Sequence, residues 1–494
     1  MSLNGATSAS TSVSASVSTS ASSPLLKVAV IGAGAAGLAT ARALDRAGIT
    51  AKIFEKDISL GGVWNYHPHS KTRPVYRGLR TNLPREIMAY RELKWGGDGK
   101  TVSYVTHGEV RDYLRRYAET YNLERLIQFG CSVRQLSISM EESSLSVKEE
   151  NQKHRDWPKF NLEWQEESPE ATSTGIKTEV FDAVCVCNGH YAAPSFPHIP
   201  GLAENFHGII MHSVEYDDPE IFKDKSVLCI GGRASGADLA REISFHAQHV
   251  YLSDTTCSEA VTEENVTWVP KTMTVRGDAT IQFGDEDYNS DNDDGNSHNA
   301  PNDAKVDVII FCSGYDYKFP FLNEKSNIDL SVKKGDRRVK PLYEQLWHAS
   351  YPSLAFVGLQ HSVVPFPFFE VQADAVTSQL KLLQNKRIQI EEMNASEDDQ
   401  DESKSAKGEL ESMPSSSSSS SSWTLPPLEE RLEAAERDSD SGGPKGAEKG
   451  RVQDTHFLGG YQWDTAIQYA KYANDGGGTG SDDNANANAN ANAN

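Results

Sequence analysis

Apolar positions along the chain fall into short β-branched runs, several of which break at a glycine cluster and resume with helical spacing. Lys27-Val28-Ala29-Val30-Ile31 is one such run, continuous rather than alternating, as a strand buried on both faces should be. It runs into Gly32-Ala33-Gly34-Ala35-Ala36-Gly37, and Leu38–Leu44 then supplies helical spacing and good helix formers. Ala51–Phe54 is a second short strand, ending at Glu55. The pattern returns later, where a strand runs into Gly231-Gly232-Arg233-Ala234-Ser235-Gly236 and is followed by His249–Leu252. Two further apolar runs, Phe181–Cys187 and Asp307–Cys312, end in Asn188-Gly189 and Ser313-Gly314. Strands that alternate with helices in this way predict an α/β chain with two Rossmann-like dinucleotide-binding units.

The first glycine cluster carries chemistry. Gly32 permits the tight turn, Gly34 lets the backbone approach a pyrophosphate, and Gly37 lets helix and strand pack closely. A pyrophosphate there sits at the positive end of the helix. Glu55, about twenty residues on, places a carboxylate where a ribose hydroxyl would be.

Composition separates this core from its surroundings. Hydrophobic residues make up 38% of the 494, and the deficit is local. Residues 1–26 form a Ser/Ala-rich start, 285–304 and 391–450 are acidic or Ser-rich inserts, and 476–494 close in an Asn-Ala repeat. Such segments bury too little apolar surface to offset ordering entropy and are expected to be disordered. They hold much of the net charge of −22, and that balance disfavours a nucleic-acid partner. The six cysteines lack metal-ligand spacing, and Cys185 and Cys187 are too close along one strand for a good disulfide. A reducing, cytoplasmic setting is expected. There is no apolar run of about 18 residues to cross a membrane, and no secretory signal is expected.

Between the two glycine loops stands Phe206-x-Gly208-x-x-x-His212-x-x-x-Tyr216. This string resembles the signature of the flavin-containing monooxygenases. The resemblance extends to Gly61-Gly62-Val63-Trp64, Val75–Glu86, Phe181–Tyr191, Ser235–Asp238 and Asp307–Tyr315, within the branch that includes the plant glucosinolate S-oxygenases. It implies an FAD domain (27–190 and 314–475) interrupted by an NADP domain (191–313). The crossings would be Asn188–Tyr191 going out and Ser313–Asp316 coming back.

The implied cofactors are FAD and NADPH, with O2 and a small molecule as substrates. Gly32, Ala33, Gly34, Ala35, Ala36, Gly37, Glu55, Gly62, Trp64, Thr81, Asn82, Val133 and Gln372 are candidate cofactor contacts. So are Gly231, Gly232, Arg233, Ala234, Ser235 and Gly236. Asn82 is the candidate catalytic amide, beside a C4a-hydroperoxyflavin that transfers oxygen to a thioether sulfur or amine nitrogen. His361–Glu370 would close over the flavin, with Gln372 hydrogen-bonding near it. His212 and Tyr216, four apart, read either as a helix-face pair or as interdomain linker residues.

Two departures stand out. Arg233 replaces the middle glycine of the second loop, and Asp254 stands where many relatives carry a basic residue for the 2′-phosphate of NADP. A carboxylate there suits a 2′-hydroxyl, whereas Arg233 could supply the missing positive charge. NADPH is favoured over NADH on the family pattern. The alternatives are a Baeyer–Villiger monooxygenase, whose fingerprint usually ends in Trp rather than Tyr216, an auxin-type decarboxylating monooxygenase, an NAD(P)H oxidase and a flavin-binding interaction protein.

Overall fold

The first predicted strand, β1 (Lys27–Ile31), forms the middle of a sheet because four of its five residues are wholly sequestered from water. A computed structural model describes residues 26–68, 70–96, 102–139, 157–167, 175–191, 193–284, 303–332, 338–401, 425–440 and 462–475. The Ser-rich start, 285–302, 402–424, 441–450 and 476–494, all expected to be disordered, lie outside the described residues.

From β1 the chain turns into α1 (Ala35–Arg46) and returns as β2 (Thr50–Phe54), parallel to β1. A long excursion carries α2 (His107–Thr120) and leads to β3 (Ile127–Gln128). Next come β4 (Cys131–Ile138), β5 (Phe160–Glu166) and β6 (Lys177–Phe181), an antiparallel three-stranded sheet. β7 (Ala183–Val186) then pairs parallel with β1, on the side away from β2.

After β7 the chain leaves this sheet through β8 (Ala193–Pro194) and α3 (Leu202–Asn205). A second sheet follows, formed by β9 (Ile209–His212), β10 (Ser226–Ile230), β11 (His249–Ser253), the β12–β13 hairpin (Val261–Glu263, Val266–Val269) and β17 (Val308–Phe311). Its order is β12-β13-β11-β10-β17-β9, parallel except for β12. Helix α4 (Ala234–Ser244) follows β10. A small sheet, β14 (Thr272–Val275), β15 (Ile281–Phe283) and β16 (Asp303–Ala304), flanks it. Residues 303–304, placed by composition in the acidic insert, pair as β16 with β15.

The return passes through β18 (Tyr315–Asp316), which pairs antiparallel with β8, Tyr315 opposite Pro194 and Asp316 opposite Ala193. The two crossings therefore hydrogen-bond to each other. After the β19–β20 hairpin (Ser331–Val332, Val339–Lys340), β21 (Leu342–Tyr343), β22 (Trp347–His348) and β23 (Leu354–Phe356) complete the first sheet. Its order is β21-β22-β23-β7-β1-β2-β3. The last described elements are α5 (Pro365–Asp401), α6 (Leu428–Asp440) and α7 (Gln462–Asp475).

Both parallel sheets are covered on both faces, as parallel sheets require. Along β1, Val28 and Val30 enter the core under α1, α2 and α5, while Ala29 and Ile31 enter the core shared with β4–β6. In β10, Val227 and Cys229 pack toward α4 and Leu228 toward the small sheet.

The 391–450 segment corrects an expectation. Residues 391–401 continue α5, and α6 docks through buried Arg431 and Ala435. Leu428, Arg431, Leu432 and Ala435 make a helical stripe that the acidic average of the surrounding sequence hides.

Candidate cofactor and oxygenation site

Glycine is required in the first loop for two different reasons. A Cβ on Gly32, whose φ is +104°, would lie 2.6 Å from the Cys187 carbonyl oxygen, and one on Gly37 would lie 1.9 Å from that of Gly32. Strand, turn and helix are thus packed backbone on backbone. At Gly34 the protein imposes no such demand. Its φ is −78°, and an added Cβ would meet only Gly62, its Cα at 3.5 Å and its N at 3.9 Å, both ordinary contacts. The space in front of Gly34 is open.

Helix α1 starts there with no side-chain cap and no acidic residue in its first turn, so its N-terminal amides and positive dipole face the open side. That cradle fits a dinucleotide pyrophosphate. Gly61 donates to Ala33 O at 3.0 Å, tying the Gly61–Trp64 turn to the loop, and Trp64 is half-buried against the core. Tyr90 braces the same place by donating its hydroxyl to Ala35 O at 2.7 Å.

Glu55 is 4% exposed and holds the loop directly. Its Oε2 accepts the Ala33 amide at 2.7 Å and its Oε1 the Asp57 amide at 2.9 Å. Burial raises its pKa, while the Asp57 and Ala33 amides work against that rise. Val133 lies in β4, whose first residue, Cys131, donates to Glu55 O at 2.8 Å.

The second loop repeats this construction. Gly231 stands as Gly32 does, with an added Cβ 2.7 Å from Cys312 O, and Gly236 matches Gly37, at 1.7 Å from Gly231 O. Gly232 N donates to Asp254 Oδ2 at 2.8 Å, as Ala33 N does to Glu55. Arg233 occupies the Gly34 position as N-cap of α4, exposed, and Ala234 and Ser235 open the helix. This first turn, too, lacks a side-chain cap and acidic residues.

Asp254, read from sequence as a partner for a ribose hydroxyl, also braces its own loop. Its Oδ1 accepts from both the amide and the hydroxyl of Thr256, at 2.7 and 2.6 Å, so both oxygens bond to the loop. Burial works to raise its pKa, but the bonds from Thr256 and Gly232 outweigh it and hold the carboxyl low.

Thr81 is buried and clamped to Val105, donating its amide to Val105 O at 2.8 Å and accepting the Val105 amide on Oγ1 at 3.1 Å. Asn82 beside it is exposed. Gln372 is fully buried, its Oε1 accepting the Gly358 amide at 3.1 Å and its Nε2 donating to Gln360 at 2.7 Å. It holds the Gly358 turn against Ala36, which a Cβ on Gly358 would approach to 3.0 Å. The stretch expected to close over the flavin, His361–Glu370, runs into the start of α5. Phe366 stacks on Tyr90 at 5.1 Å, and Phe368 packs edge-on against Tyr469.

His212 and Tyr216 share no helix face. His212 ends edge strand β9, and a 3₁₀ turn separates the two residues. The wholly buried His212 accepts the Val214 amide on Nδ1 at 3.2 Å, so Nε2 carries the proton and donates to Gly314 O at 3.0 Å. Burial lowers its pKa and favours this neutral form. The ring thereby pins the returning crossing. Gly208 is needed because a Cβ there would lie 2.3 Å from Asp307 O.

Sequence reading missed a set of contacts across the two sheets. Tyr66 donates to Asp217 at 2.7 Å, Arg77 pairs with Asp217 and Asp218, and the Tyr76 hydroxyl donates to Asp238. The excess of charged and phenolic groups in 66–77 and 217–242 is the only signal the sequence offers. A cavity of about 840 Å³ between α6 and the β19–β20 hairpin shares no lining residue with either loop. Among the described residues no helix is long and apolar enough to cross a membrane, and no cluster of His, Cys, Asp and Glu could hold a metal ion.

A family model described as flavin-binding monooxygenase-like matches residues 26–279, just over half of the chain. Two Arabidopsis thaliana relatives are similar over most of it. Flavin-containing monooxygenase FMO GS-OX-like 4 is 34% identical, covering 70% of this chain and 74% of that one. FMO GS-OX5 is 35% identical, covering 72% and 74%. Among solved structures, S-allyl-L-cysteine S-oxygenase from Allium sativum aligns with a TM-score of 0.70 and 28% identity, covering 91% of this chain and 89% of that one. Tmm from a Pelagibacter species, 22% identical with a TM-score of 0.62 over 90% and 85%, shares the fold. With two equivalent nucleotide loops on two Rossmann-like sheets, one inserted in the other, the chain belongs to the flavin-containing monooxygenase family of enzymes.

Proposed function

We propose that the protein is an FAD-dependent, NADPH-consuming monooxygenase that places one oxygen atom of O2 on a thioether sulfur or an amine nitrogen, the other leaving as water. The observation that carries this reading is the pair of equivalent loops, each opening onto an uncapped helix N-terminus. Residues 27–190 and 314–475 hold FAD and 191–313 hold NADPH. The bound flavin supplies hydride acceptance from the coenzyme and activation of O2.

The protein's own part is to bind, orient and shield. Gly34 and the first turn of α1 receive the FAD pyrophosphate, with Glu55 fixing the loop. The first turn of α4 receives that of NADPH, and Arg233 reaches the 2′-phosphate. Asn82 presents its side-chain amide to the reacting oxygen. The paired β8 and β18 strands, with His212 on Gly314, hold the two lobes in register so that water stays out. Sulfur as the acceptor is supported by the Allium relative, named as an S-allyl-L-cysteine S-oxygenase. Six free cysteines, five of them buried, suit a reducing cytoplasm.

The test is stoichiometry. Flavin-loaded protein given NADPH, O2 and a panel of thioethers and amines should form close to one sulfoxide or N-oxide per NADPH consumed. Peroxide accounting for all of the NADPH, whatever the substrate, would assign an oxidase instead.

A further inference from the structure

The loop that carries Asn82 is held at its two ends by different lobes. Tyr76 is 5% exposed and belongs to the core of the second sheet, among Tyr216, Leu239, Ala240 and Ile243, with Leu79 packed against the same cluster. Its ring meets Tyr216 edge-on at 5.1 Å, and its hydroxyl donates to Asp238. One residue on, Arg77 pairs with Asp217 and Asp218. At Gly78 an added Cβ would come within 2.5 Å of Glu242 Oε1, so the backbone lies directly on that carboxylate.

The other end belongs to the first lobe. Arg80 bridges to Thr106, Leu79 O accepts the His107 amide at 3.3 Å, and Thr81 is clamped on Val105. Asn82 follows Thr81 without a break.

Asp238 and Glu242 are one turn apart on α4, the helix whose uncapped N-terminus begins at Arg233. A group seated at that N-terminus therefore acts on the same rigid element that holds Tyr76 and Gly78. Only five residues, 77–81, separate Tyr76 from Asn82, and the segment is tied down at both ends. We propose that residues 76–82 are a positioning arm, through which coenzyme phosphate bound at the start of α4 sets the placement of Asn82, with Tyr76 and Asp238 as the positioning pair.

The link rests on the reading of the α4 N-terminus as the coenzyme site, and its catalytic consequence rests on the monooxygenase reading. The Tyr76–Asp238 bond joins a hydroxyl to a carboxylate across the lobes, and charge-assisted bonds of this kind hold geometry strongly. Tyr76→Phe removes the bond and keeps the ring against Tyr216.

Amide hydrogen exchange in residues 79–83, followed in the FAD-loaded protein with and without NADP⁺, reads the link directly. In the wild type NADP⁺ should slow exchange by about tenfold, in keeping with one charge-assisted bond. In Tyr76→Phe it should leave exchange unchanged. Asp238→Leu removes the same bond from the other lobe and should give the same loss, even if Tyr76→Phe proves too unstable to purify. Asp238→Asn keeps an acceptor of the same shape and should retain the protection.

A second readout follows turnover. Tyr76→Phe should release more peroxide per NADPH while the KM for NADPH stays at the wild-type value. Equal slowing by NADP⁺ in the wild type, Tyr76→Phe and Asp238→Leu would overturn the proposal. A wild type that makes peroxide alone would overturn the monooxygenase reading, and the exchange comparison would still decide whether the arm exists.

Discussion

Asp254 accepts the Gly232 amide at 2.8 Å, in the geometry with which Glu55 accepts the Ala33 amide at 2.7 Å. In each sheet an acid just past β2 or β11 reaches back to lock the loop after β1 or β10. Both acids therefore brace the glycine turns. Arg233 stands at the open end of α4, and coenzyme choice is best tested there.

Arg233→Ala should raise the KM for NADPH far more than that for NADH. A charge-assisted bond to phosphate is worth about 1.5–3 kcal/mol, or roughly ten- to a hundredfold in affinity. Asp254→Asn should weaken both coenzymes alike, because the loop rather than the ribose loses its support. Equal kcat/KM for the two coenzymes, unchanged in Arg233→Ala, would show that Arg233 reads no phosphate.

Gly34 and Gly37 should fail in different ways. A Cβ at Gly34 makes only ordinary contacts, with Gly62, so Gly34→Val should fold and lose FAD. At Gly37 a Cβ would drive into Gly32 O, so Gly37→Ala should lower the melting temperature of the flavin-free protein as well. Flavin absorbance after gel filtration and a circular-dichroism melt separate the two. Stoichiometric FAD on Gly34→Val would refute the pyrophosphate assignment.

Asn82→Ala should leave flavin bound and spoil its chemistry. The exposed Asn82 side chain supports no core, so folding and FAD content should stay at wild-type levels. The near-ultraviolet transient seen when reduced enzyme with NADP⁺ meets O2 should shorten, and peroxide per NADPH should rise by up to about tenfold, the worth of one hydrogen bond. A variant as well coupled as the wild type would remove Asn82 from the reaction.

Strands β1, β10 and β17 and both loops are legible in the sequence because local rules make them. β-Branched runs bury, and glycine stands where a Cβ would strike a carbonyl oxygen. What escapes is set by distant partners. Tyr76 and Asp238 are 162 positions apart, and nothing near either announces the other. A spacing of four in His212 and Tyr216 suits a helix face, yet it spans a strand end and a 3₁₀ turn, since β17 captures β9 as an edge strand. Helix α6 is hidden by averaging, its few apolar residues diluted by the acids on its wet side.

Arg431 makes α6 testable. Its Nε donates to Ala349 O at 2.8 Å and its Nη1 to Pro426 O at 2.7 Å, in a residue only 3% exposed. Arg431→Ala leaves buried carbonyls short of donors and should cost about 1–3 kcal/mol. A urea midpoint equal to that of the wild type would mean α6 contributes nothing to the fold.

His348 should make the protein acid-sensitive. The ring is wholly buried in β22, its Nε2 donating to Asp329 O at 2.8 Å and its Nδ1 accepting the amides of Ser350 and Tyr351 at 3.2 and 3.3 Å. Burial pushes its pKa down from 6.5 to about 4. Because the folded value is depressed, the contribution is fully present above the ordinary histidine range and is lost as pH falls through about 6.5 toward 4. A shift of that size corresponds to on the order of 3 kcal/mol. His348→Asn, which cannot titrate, should start less stable at neutral pH and lose less on acidification. Urea midpoints taken between neutral pH and the folded pKa compare the two slopes. Parallel slopes would show that acid sensitivity comes from the carboxylates, Asp254 among them, and not from this ring.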